Sequence, residues 1–160
     1  MDKIGVSCCG AQELTREVFD AYAAAGIDCM ELSFSRERYN GLNYKKIAGL
    51  ARDCGVSLWS FHMPFYPFDE IDISSRDGTV RKNSIELLRG FMEKTSDIGI
   101  RTVVIHPSGE PIDDNEREDR LGYAADSLCA LAELAHSAGQ VIAVEDLPRT
   151  CLGRDSAEIK

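Results

Sequence analysis

The sequence predicts an α/β domain built on a parallel sheet, and three observations carry that reading. Four stretches repeat apolar residues at three- and four-residue spacing, the mark of amphipathic helices. Each is followed by a glycine, the residue that accepts the left-handed turn past a helix end. After each glycine comes a short apolar run such as "TVVI" or "VIAV", which reads as a strand buried on both faces between helices.

"KIGVSCC" opens the chain as the first strand. The first helix spans about Glu13 to Ala25 with Leu14, Val18, Tyr22 and Ala25 on one face; Gly26 and the strand "IDCMELSF" follow. The second helix runs from about Asn43 to Cys54, with Tyr44, Ile47, Ala48 and Ala51 aligned, then Gly55 and "VSLWSFHMP". The third spans about Thr79 to Ile98 and carries Leu87, Leu88, Phe91, Met92 and Thr95, then Gly99 and "IRTVVIHP". The fourth spans about Arg117 to Ala138, with Leu121, Ala124, Ala125, Leu128 and Ala132, then Gly139 and "QVIAVEDLP". The order is βαβαβαβαβ, which calls for right-handed crossovers. No linker or low-complexity segment divides the chain, so residues 1–160 are expected to form a single domain.

Composition narrows the function. A chain of 160 residues with 44% hydrophobic and 28% charged residues can bury a sizeable core. Its 27 acidic and 18 basic residues give a formal net charge of −9, which argues against a nucleic-acid partner. No apolar run approaches the roughly 18 residues that a membrane span needs. The cysteines at 8, 9, 29, 54, 129 and 151 form no CxxC pair, and the opening residues lack a secretory pattern. They read as reduced, mostly core thiols of a cytoplasmic protein.

Two long connections, "YPFDEIDISSRDG" and "SGEPIDDNERED", lie on the strand-to-helix side, whereas the helix-to-strand turns are tight. Function is therefore expected at the carboxyl ends of the strands. Polar residues stand at those ends: His62 in "SFHMP", His106 in "VIHPSG", Glu145 in "AVEDLP" and Glu31 in "CMELSF". Two histidines and a carboxylate converging on one pocket could bind a divalent metal or move protons beside it. The alternatives are a hydrogen-bonded structural role for each histidine, a Glu145–Arg149 ion pair, and pairing of Glu31 with Arg36 or Arg38. His136 reads as a charge suited to a helix end. Cys8 and Cys9 face the same pocket mouth, yet no residue is identified as a base for either. "GVSCCG" is not a phosphate-binding glycine loop.

The segments "GIDCMELSF", "LWSFHMPF", "TVVIHPSGEP" and "IAVEDLPRTCLG" resemble, in order, the first five strands of the xylose-isomerase-like TIM barrels. The "ExLPRTCLG" segment is most similar to the sugar phosphate isomerase/epimerase branch. The resemblance implies a partial (βα)8 barrel of about five parallel strands with four flanking helices. It implies one divalent metal (manganese, magnesium or zinc) with Glu145 as its first ligand and as a catalytic carboxylate. His62, His106 and Glu31 would line the pocket of a small sugar or sugar phosphate. In the endonuclease IV-like group, equivalent histidines and the strand-five Glu instead hold zinc for phosphodiester cleavage. A full barrel has eight strands and about 250 residues. The chain alone is thus expected to lack a complete active site, as the amino-terminal part of a longer enzyme. The alternative is a non-catalytic half-barrel that binds or oligomerises through its exposed strand edges.

Overall fold

The computed structural model describes residues 3–11, 13–147 and 150–160. Its core is a five-stranded sheet in the order β1-β2-β3-β4-β5, with every neighbouring pair parallel. The strands are β1 (Gly5–Ser7), β2 (Cys29–Ser33), β3 (Ser57–His62), β4 (Thr102–Ile105) and β5 (Val141–Val144). The four predicted helices are α1 (Arg16–Ala24), α3 (Tyr44–Asp53), α4 (Gly78–Ser96) and α5 (Arg117–Ser137). Asn43 caps α3 by accepting the Lys46 amide at 3.0 Å, and Asp77 caps α4 by accepting the Thr79 amide at 2.7 Å. The predicted turn glycines follow each helix; Gly55 and Gly99, at φ +75° and +84°, illustrate the left-handed geometry.

Helices cover one face of the sheet. Met30, Leu32, Phe61, Val103 and Ile105 point into that layer and meet Phe19, Leu88, Phe91 and Leu131. At its centre Phe61 packs against Tyr39 at 4.3 Å between ring centroids and against Phe91 at 5.9 Å. The other face is open, which corrects the expectation of strands buried on both sides. Trp59 and Val141 are 56% and 65% exposed, because this face is the interior side of a sheet that has not closed.

Three local departures have physical causes. The buried stripe of α1 centres on Phe19, with Ala25 exposed, since the large ring outweighs the small alanine. On α5, Ala125 and Ala132 are exposed, while Arg117 and Ser127 take core-facing positions to bond loop carbonyls. A helix that the periodicity does not predict, α2 (Arg36–Gly41), precedes α3, and a short α6 (Ser156–Ile159) follows β5. Ser35 caps α2, and its single apolar anchor is the fully buried Tyr39. One anchor leaves no repeat to detect.

Replacing Phe61 by Ala removes the ring shared by the sheet and helix layers. The loss should be about 3–5 kcal/mol, read as a lower midpoint in urea unfolding. A loss under about 1 kcal/mol would contradict the central position given to this ring.

Candidate active site at the strand ends

The ladder register brings three predicted residues together. His62, the last residue of β3, pairs in register with Val104 of β4. His106 follows β4 by one residue, and Glu145 follows β5 by one. The Glu145 amide donates to the Ile105 carbonyl at 3.0 Å, and the Met63 amide donates to the Val104 carbonyl at 2.8 Å, so the ladder continues past the strands. Glu145 Oε2 lies 2.9 Å from His62 Nε2 and 2.9 Å from His106 Nε2. The three side chains offer ligand atoms that all fall within 4.8 Å of one another. The histidine side chains are only 13% and 9% exposed, whereas that of Glu145 is 36% exposed on the open side.

Proton placement constrains this cluster. His62 Nδ1 lies 3.0 Å from the Met63 carbonyl oxygen, which can only accept, so Nδ1 carries a proton. Nε2 of the same ring then faces the Glu145 carboxylate at 2.9 Å. A bare lone pair aimed at a carboxylate oxygen is repulsive, so a second proton or a cation must sit between them. A backbone carbonyl that fixes the far nitrogen is the usual support for a metal-binding imidazole. Two imidazole nitrogens, one carboxylate and an open side suit a divalent cation with a free coordination position. Phe65 walls the cluster, stacking on His106 at 4.0 Å and meeting His62 edge-on at 5.5 Å.

Glu31 does not belong to this three-residue group. It lies inside β2 and accepts the Ser60 hydroxyl at 3.0 Å. Arg36 pairs with Glu70 at 2.7 Å, and the suggested partner Arg149 lies outside the described residues. His136 occupies the last turn of α5, as its charge suggested. All six cysteines are free; Cys8 is buried, and burial pushes its thiol above the ordinary range, against nucleophilic use.

Sequence reading missed the residues that hold the site's frame. The Tyr39 hydroxyl accepts the Phe34 amide at 2.9 Å and lies 2.6 Å from the His62 carbonyl, tying α2 to the end of β3. Asp72, in the loop after β3, accepts the Ser74 hydroxyl at 2.7 Å and pairs with Arg120 of α5. Behind Glu145, the Arg117 guanidinium donates to Glu158 at 2.7 Å and to the Cys151 carbonyl at 2.8 Å. Glu158 also accepts the Gly153 amide at 2.9 Å. At Gly153, φ is +75° and an added Cβ would lie 3.2 Å from the Glu145 carbonyl and 3.1 Å from Pro107, so only glycine fits. Within the charged run "NERED", Arg117 resembles a solvated surface residue, and only the fold reveals its burial.

A half-open barrel with a histidine–carboxylate cluster at its strand ends defines a class: α/β barrel proteins with their chemistry at the carboxyl face. The chain belongs to the xylose isomerase-like TIM barrel family, whose model matches residues 19–160. No curated protein matches it in sequence. Among solved structures it is similar to a D-tagatose 3-epimerase-like protein (TM-score 0.82, 23% identity, covering 99% of this chain and 58% of that one). It is also similar to an L-ribulose 3-epimerase (TM-score 0.79, 25% identity, 99% and 55%). A third is a D-psicose 3-epimerase from Clostridium cellulolyticum H10 (TM-score 0.74, 18% identity, 91% and 53%). The chain therefore spans little more than half the length of the structures it matches.

The Arg117–Glu158 pair makes stability depend on pH in a definite direction. Hydrogen bonds from Arg117 hold the Glu158 carboxyl below its ordinary value, outweighing the opposing effect of burial. A carboxyl lowered by folding adds stability above its unfolded value, near 4.5, and that addition is lost as pH falls through the lower folded value. Relative to wild type, Glu158→Gln should cost on the order of 3 kcal/mol at neutral pH. The gap should shrink steadily below about pH 4.5. Urea unfolding of both proteins across this range checks it, and a gap independent of pH would count against the pair.

Proposed function

We propose that this chain is the amino-terminal part of a divalent-metal-dependent isomerase or epimerase, acting on a small sugar or sugar phosphate in the cytoplasm. In this reading, residues 1–160 form one incomplete barrel domain, and the chain alone is inactive. The observation that carries the reading is the shared approach of His62 and His106 to one oxygen of Glu145. The family membership and the epimerase neighbours support the choice of reaction class.

Glu145, His62 and His106 would hold manganese, magnesium or zinc. A cation bound there would supply Lewis-acid polarisation of a carbonyl or hydroxyl oxygen. Glu145 anchors the cluster from the mouth of β5, and its half-open position leaves it facing the space where substrate enters. The carbonyl of Met63 keeps the His62 ring oriented, so its Nε2 stays aimed at that space. His62 and His106 would also line the pocket that receives the sugar's oxygens. Glu31, held by Ser60, supplies a further acceptor deeper in the same barrel interior. Carboxylates move the proton at the carbon next to the carbonyl. The exposed edges of β1 and β5 would pair with further strands or with a second copy of the chain.

The histidine pair also favours a second reading, an endonuclease IV-like zinc phosphodiesterase. The net charge of −9 opposes it, because a DNA-facing groove needs basic residues. Nicking of abasic-site DNA by the zinc-loaded protein would favour this rival.

Glu145→Gln should lower Mn2+ affinity at least about tenfold in calorimetric titration, because it removes the only anionic ligand of the three. In the complete barrel it should also abolish deuterium exchange from D2O into a ketose beside its carbonyl. Unchanged metal affinity and exchange would overturn the assignment.

A further inference from the structure

A cavity adjoins the cluster through Phe65. It measures about 420 Å³ and lies at the carboxyl ends of β1, β2 and β3. Its walls include Cys9, Ser33, Phe34, Arg38, Phe65 and Tyr66. The volume falls within the range of small-molecule sites, roughly 300–1,000 Å³. Phe65 borders both: its ring stacks on His106, and the same residue lines the cavity. Tyr66 is 66% exposed, an unusual position for a large aromatic, and it is held edge-on against Phe68 at 5.5 Å. Opposite, the Arg38 guanidinium lies 3.8 Å above the Phe34 ring and donates to the Ala11 carbonyl, which makes that wall rigid.

Flat aromatic surfaces beside hydroxyl, guanidinium and backbone groups match the chemistry of a sugar ring. Its C–H faces are apolar and its edge carries hydroxyls that need hydrogen-bond partners. We propose that this cavity binds a second sugar ring, glycosidically joined to the ring that reacts at the histidine–glutamate cluster. The substrate class is then a disaccharide or larger glycoside rather than a free monosaccharide. This inference rests on reading the neighbouring cluster as a sugar site. Every wall named here lies within the 160 residues, so the cavity can be tested on this chain.

The experiment is ligand-observed NMR titration of the metal-free chain with maltose, cellobiose and trehalose, each against glucose, with Zn2+ binding measured in parallel. At least one disaccharide should bind at least fivefold more tightly than glucose. Tyr66→Ala should weaken that binding at least fivefold while leaving Zn2+ affinity unchanged. The proposal is overturned if no disaccharide exceeds glucose, or if Tyr66→Ala leaves the preference intact. A disaccharide preference in a chain whose Zn2+ binding is indifferent to Glu145→Gln would leave the cavity standing and sink the metal-site reading. Zn2+ binding that needs Glu145, without a disaccharide preference, would sink the cavity alone.

Discussion

The parallel ladder joining β3, β4 and β5 governs where the chemistry can be. Backbone hydrogen bonds lock His62 beside Val104 and carry Glu145 past Ile105, so three residues far apart in sequence reach one point. A one-residue slip of any strand would turn its polar residue toward the helix layer. That layer is packed with apolar side chains such as Phe61, Val103 and Leu131, where an unpaired charge is costly to bury. The packing of the covered face therefore protects the register, and the register creates the cluster on the open face.

Much of this was legible in the residues. Helix periodicity and turn glycines mark α1, α3, α4 and α5, and the short apolar runs mark the five strands. The strand-end positions of His62, His106 and Glu145 point to one pocket. The sequence does not reveal that both histidines meet the same carboxylate oxygen, because that depends on strand twist and rotamer rather than on spacing. Nor does periodicity reveal α2, which hangs on Tyr39 alone, or the burial of Arg117 within an acidic run. Such residues act through long-range partners, Tyr39 with His62 and Arg117 with Glu158, that local pattern cannot supply.

The frame behind the cluster is polar, whereas the frame beneath it is apolar. Asp72–Arg120 ties the loop after β3 to α5, and Arg117–Glu158 ties the segment after β5 to the same helix. The segments after β3 and β5 are thus fastened to one helix, an arrangement that suits a site needing fixed geometry. The sheet face opposite the helices stays open, with Trp59 and Val141 exposed. It is the side from which a closed barrel would complete the pocket.

His62, His106 and Glu145 are proposed to form a cation site. A crystal structure of the chain grown with Zn2+, with anomalous data at the zinc edge, tests it most directly. One strong peak is expected about 2.0–2.2 Å from His62 Nε2, His106 Nε2 and a Glu145 carboxylate oxygen. An empty cluster with both imidazoles still hydrogen-bonded to Glu145, or zinc bound only elsewhere, would contradict it.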